Sequence, residues 1–206
     1  MSINKEQNME DAILSAATQL VLEKGFKATS TTEIAKKVGC NQALVHYYYR
    51  TKDRLFDAIF EKKVKSFIST LIKVDNEDIP FKVKLTRMIE SHFEAIMEDP
   101  KLPLFIFNEI NSNPIRLKQL RDKLDELPDS LFIQMKTDLD AEIEVGNIRR
   151  ITIYDLLLSI VSLNIMVFIL EPMFKTITRI SDEDFIKLRE RRKKENVHVI
   201  LNSLKP

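Results

Sequence analysis

The sequence holds a single cysteine, Cys40, so no disulfide can form within the chain, and a reducing compartment suits it. Only three glycines and seven prolines occur in 206 residues. Apolar residues seldom alternate with polar ones, which argues against sheets and for an all-α chain. Its three histidines and lone cysteine fall at no ligand spacing, so neither a metal nor any other cofactor is expected. The net charge is only +1, so bulk charge alone does not announce a nucleic-acid partner. The one long charge-free apolar stretch, 156–170, also carries Ser159, Ser162 and Asn164. It is shorter than the roughly 20 residues that cross a bilayer, and it reads as a buried helix. The N-terminus lacks the apolar segment of a secretion signal. A cytoplasmic protein with no membrane partner is expected.

What is present is 44% hydrophobic and 31% charged, enough for one small and one medium core. The charge is unevenly spread. Residues 35–65 hold eight Lys and Arg against three Asp and Glu. That local excess suits phosphate contact.

Helical periodicity organises the chain. Residues 6–24 place Met9, Ile13, Ala16, Ala17, Leu20 and Val21 on one stripe, and Gly25 ends it. Ser30 and Glu33 form a capping box before a helix at 31–38, with Ile34, Ala35 and Val38 inward. Asn41 can cap a third helix at 42–49, where Val45 and Tyr49 share a face. Thr51 caps a fourth helix running to Val74, and a polar linker follows at 75–79. Further helices are expected at 80–98, 101–111, 114–126 and 128–145, the last opened by Pro128 and ended by the turn Gly146-Asn147. Thr152 with Asp155 caps a strongly apolar helix to Leu170, closed by Glu171-Pro172. Ser181 with Asp184 caps the last helix, which ends near Leu204. The sum is nine or ten helices and no strand.

Three short helices with a tight turn at 38–41 make a tri-helical helix-turn-helix. Ala35 is small enough for close helix approach, and Gly39 lets the chain reverse. With Val45 and Tyr49 inward, Gln42, Ala43, His46 and Tyr47 point outward near the helix end that meets base edges. Gln pairs bidentately with adenine, and a short Ala leaves room for a thymine methyl. His46, Tyr47 and Tyr48 can donate to phosphates. Thr31, Thr32 and Asn41 stand at helix N-termini and Lys52 opens the fourth helix, places suited to clamping an anion.

These residues carry a family resemblance. The run from Gly25-Phe26 through Thr29-Ser30, then Glu33-Ile34-Ala35, then Gly39 through Leu55 with Gly39, Tyr48, Lys52 and Leu55 in place, resembles the TetR family of transcriptional regulators. The match spans about residues 8–60. Cys40, Asn41, Ala43 and His46 stand where Val, Ser, Gly and Tyr are usual, and they bear on which operator is read. The resemblance implies double-stranded operator DNA as partner, a DNA-binding domain at 1–52, and an effector-binding and dimerisation domain at 53–206. It implies a regulator, most often a repressor, whose grip a small molecule modulates. The competing reading is a helical carrier or enzyme without DNA-dependent function. No nucleophile–base constellation, phosphate loop or carboxylate pair supports it, and no catalytic residue is expected.

Within 53–206, His92, Phe93, Met97, Phe105, Glu109, Met135, Leu139, Asn164 and Phe168 are the candidate effector-pocket residues. An aromatic- and Met-rich interior suits an apolar or amphipathic effector. The helices at about 153–170 and 182–203 carry more apolar surface than one buried face needs, and pairing them with a twofold mate makes a four-helix bundle. The basic run 189–194 reads as a solvated outer face.

Overall fold

The computed structural model describes residues 2–72, 79–112, 114–124 and 129–206. Most of the linker read at 75–79, with Glu126 and Pro128, lies outside them. Among the described residues the chain is helical throughout, without a strand: α1 (Ser2–Lys24), α2 (Thr31–Val38), α3 (Gln42–Tyr49), α4 (Lys52–Ile72), α5 (Phe81–Glu98), α6 (Leu102–Ser112), α7 (Pro114–Leu124), α8 (Asp129–Glu144), α9 (Ile153–Ile169), α10 (Glu171–Thr178) and α11 (Asp182–Ser203). They pack as two compact units, Met1–Lys65 with Leu104–Leu120, and Ser66–Pro103 with Arg121–Pro206.

The helix the periodicity did not anticipate is α10. Pro172 reads as a stop after the apolar run, yet it occupies the first turn of a new helix. A proline lacks only an N–H that the first turn leaves unused, so it starts a helix as readily as it ends one. α9 and α10 meet at 59°. No single helix among the described residues is long and apolar enough to cross a membrane.

In the first unit the inward stripes of α1 to α4 close on one another. Ile13, Ala17, Val21, Ile34, Ala35, Val45, Leu55, Phe56, Ile59 and Phe60 are all buried. Each large side chain so placed contributes roughly 1.5–3 kcal/mol. α6 joins this unit through Phe105, whose ring lies 5.6 Å from Phe56 and 6.2 Å from Phe60.

The second unit has two apolar clusters. Phe81, Leu85, Met88, Ile89, Leu139, Ile148, Leu156 and Ile160 belong to the larger. Phe93, Ile96 and Phe168 form the smaller. Arg189 departs from the solvated face expected of the basic run. It is mostly buried, its guanidinium 3.6 Å from Glu171 and 5.8 Å from the rings of Phe168 and Phe185. The aliphatic stem covers apolar surface while the charged head keeps an acidic partner.

Candidate nucleic-acid interface

The first unit positions a short helix by local chemistry. Gly25 takes the left-handed conformation, φ 84°, and its carbonyl accepts from the hydroxyl of buried Thr29 at 2.9 Å. Ser30 then caps α2. Its Oγ accepts from the Glu33 amide at 3.2 Å, and the Glu33 carboxylate accepts from the Ser30 amide at 3.2 Å. A hydrogen bond from Lys24 first, and the Ser30 amide next, hold the Glu33 carboxyl below its usual range. Gly39, at φ 79°, sends its N–H back to the carbonyls of Ala35 and Lys36. A residue with a Cβ there would be strained. Asn41 caps α3, its Oδ1 accepting from Leu44 N–H at 2.9 Å.

These caps fix the face α3 presents. Val45 and Tyr49 are buried, with the Tyr49 hydroxyl reaching the Glu10 carbonyl at 3.4 Å. Burial, then the carboxylates of Glu10 and Asp11, push the Tyr49 phenol up to about 12. Gln42, Ala43, His46 and Tyr47 are exposed together, Tyr47 at 71%. Tyr48 is half-buried and meets Tyr47 edge-on at 5.2 Å. Thr32 is exposed and Thr31 half-buried at the start of α2.

Two arrangements in this face are invisible in periodicity. Gln42 Nε2 donates to Thr31 Oγ1 at 2.9 Å and lies 3.4 Å from His46 Nε2, while His46 Nδ1 lies 3.2 Å from the Arg50 carbonyl. Lys52 is no free lysine. Its Nζ stands 4.3 Å over the Phe26 ring and donates to the Lys27 carbonyl at 3.3 Å. Phe26 in turn lies 4.4 Å from Phe56.

The nine effector-pocket candidates are divided between the two units. Phe105 and Glu109 belong to the first unit. Burial raises the Glu109 carboxyl while Lys27 pulls it back. The other seven sit in the second unit, where Leu139 and Met135 join the larger cluster and Phe93, Phe168 and Met97 the smaller. His92 and Asn164 are fully buried and hydrogen-bonded, Asn164 Nδ2 lying 3.0 Å from His92 Nδ1. Burial lowers the His92 imidazole to about 4, so it is neutral. Asn196, which the sequence reading overlooked, completes this network by donating to Asn164 Oδ1 at 2.9 Å. Its position on the inward stripe with Phe185 and Ile200 was the available signal. None of the nine residues lines the open groove of about 680 Å³ bordered by Ile143, Arg149, Arg150, Thr152 and Asp155.

A capped three-helix unit that presents the N-terminal part of its third helix to solvent is a helix-turn-helix DNA-binding domain. Residues 13–59 match the model of bacterial regulatory proteins, tetR family. The fatty acid metabolism regulator protein of Bacillus subtilis is 24% identical over 138 residues, 67% of this chain and 70% of that one. The negative regulator of the biofilm operon in Staphylococcus epidermidis is 23% identical over 128 residues, 62% and 67% of the two chains. A solved fatty acid metabolism regulator of Clostridium perfringens superposes with a TM-score of 0.67 at 18% identity, covering 95% and 99%. Residues 13–59 thus carry a DNA-binding domain of the tetR kind, and over most of its length the chain is similar to regulators of transcription with that domain.

Proposed function

We propose that the chain is a cytoplasmic, homodimeric repressor that grips double-stranded operator DNA through α3 and releases it when a small molecule binds within 53–206. The observation that carries the DNA-reading part is the joint exposure of Gln42, Ala43, His46 and Tyr47 beside buried Val45 and Tyr49. The division into a reading part at 1–52 and a responding part at 53–206 belongs to the same proposal. In the dimer, α9 and α11 of each copy form the bundle, which spaces the two recognition helices for successive major grooves. The effector favours a different spacing and so shifts the population away from the bound form.

Thr31, Thr32, Asn41, His46, Tyr47, Tyr48 and Lys52 lie along the phosphates in this reading, and Gln42 and Ala43 meet base edges. The relatives named for fatty acid metabolism make fatty acids the first effectors to assay. The test is footprinting of the purified dimer on the promoter beside its own gene, with and without candidate effectors. Salt-sensitive, sequence-selective protection relieved by an effector supports the proposal. Protection that no sequence change alters defeats it.

A further inference from the structure

We infer that Gln42 reads its base as a hydrogen-bond acceptor only, selecting adenine or cytosine by the amino group and ignoring adenine N7. The inference rests on the proposed base-reading role of α3 and names what that role selects. A free glutamine recognises adenine with two bonds, its oxygen accepting from the 6-amino group and its nitrogen donating to N7. In this chain the nitrogen is already taken. One N–H of Gln42 Nε2 serves Thr31 Oγ1 at 2.9 Å and the other faces His46 Nε2 at 3.4 Å. Gln42 Oε1 accepts no hydrogen bond among the described residues, and the side chain is exposed.

The orientation of that amide follows from the backbone. A hydroxyl either donates or accepts, so Thr31 alone does not decide which end of the amide it meets. His46 decides it. Its Nδ1 lies 3.2 Å from the carbonyl oxygen of Arg50, which only accepts, so Nδ1 carries the proton. A neutral imidazole protonated there offers a lone pair at Nε2. Only the nitrogen of Gln42 satisfies that lone pair; turning the amide over would set two acceptors against each other. Arg50 closes α3 at φ 57° with its N–H on the His46 carbonyl, which brings its own carbonyl to the ring. The chain of causes runs from a helix C-cap to a tautomer, from the tautomer to an amide, and from the amide to the base. Thr31, having accepted from Gln42, keeps its own hydroxyl proton for a phosphate.

The test begins with an operator selected from randomised duplexes, titrated by fluorescence anisotropy at pH 8. Gln42→Ala identifies the base pair at which preference is lost. Every pair presents one amino group at its major-groove edge, adenine's or cytosine's, so the decisive result is removal of that amino group: weaker binding is expected, and unchanged binding overturns the inference. With adenine, replacing it by 7-deazaadenine, which removes N7 and keeps the amino group, leaves Kd within about twofold, whereas purine without the amino group weakens binding about tenfold. Tenfold weakening by 7-deazaadenine overturns the inference. His46→Ala frees the amide, and that variant gains sensitivity to 7-deazaadenine; an unchanged response counts against the mechanism. Loss of preference at no position on Gln42→Ala, with selective binding intact, sinks this inference while leaving the regulator standing. Absence of any selective binding sinks the proposed function itself.

Discussion

The ring of Phe105 stands edge-on to that of Phe56, 5.6 Å between centroids, and so ties α6 into the same core as the helix-turn-helix. Phe56 touches Phe26, and Phe26 carries the ammonium of Lys52. An aromatic column therefore runs from α6 to a lysine at the start of α4. Truncating a buried aromatic leaves a cavity, so Phe105→Ala should cost about 3–5 kcal/mol in urea denaturation, and Phe105→Leu clearly less. Stability that stays within 0.5 kcal/mol, on the order of a surface change, would mean the column does not exist in solution.

Lys52 supplies a charge whose place is set by that column. A phosphate contact is indifferent to sequence. Lys52→Ala should weaken all duplexes alike and lower the slope of log affinity against log salt by about one. Anisotropy titrations over a salt series measure this. A loss confined to one operator sequence, at unchanged slope, would reassign Lys52 to base reading.

In the second unit, Asn164 Nδ2 donates to the Ile89 carbonyl at 2.9 Å and faces His92, while its Oδ1 accepts from Asn196. The three side chains are fully buried. Asn164→Leu strands the polar groups of its neighbours, at about 1–3 kcal/mol for each. Denaturant midpoints should show a deficit of that size, larger than for Asn196→Ala, which removes the end member of the network and its bonds to Asn164 and the Leu163 carbonyl. An Asn164→Leu protein as stable as the parent would show that water replaces the lost bonds.

The same burial gives the fold a pH dependence. His92 is held near 4, below the usual value of about 6.5 for an exposed imidazole. Between those values the unfolded chain binds a proton that the folded chain refuses, so stability rises with pH through this window. The contribution is complete above about 6.5 and lost as pH falls to about 4. The shift corresponds to roughly 3 kcal/mol. His92→Gln should flatten the dependence of unfolding free energy on pH in that interval. An unchanged slope would assign it to carboxylates elsewhere.

The helix-turn-helix was legible because each of its signals is local. The capping box of Ser30 and Glu33, the left-handed Gly39 and the pair Val45 and Tyr49 depend on residues a few positions apart. Which effector-pocket candidates share a unit was not legible, because polarity and aromaticity report burial, not which helices meet. Phe105 and Glu109 look like Phe93 and His92 in sequence, yet they pack in the other unit. Asn196 was missed because the last helix was read for its apolar stripe and its basic run, and an uncharged polar side chain belongs to neither. Pro172 was misread because the same ring chemistry serves the start and the stop of a helix.

α9 buries Leu156, Ile160, Asn164 and Phe168, and its opposite side exposes Tyr154, Leu158 and Met166, with Tyr154 at 70% and Leu158 at 67%. Such side chains contribute little to the folded monomer, so replacing them tests assembly with the core left alone. Leu158→Glu places a charge on a surface the proposed twofold mate must dehydrate, and an unpaired buried charge opposes association strongly. Light scattering after size exclusion should then find a monomer with unchanged helical circular dichroism. Operator affinity should fall by orders of magnitude, because two half-sites are no longer gripped by linked domains. A Leu158→Glu protein that remains dimeric would move the interface off this side of α9, and the spacing mechanism would need another pair of helices.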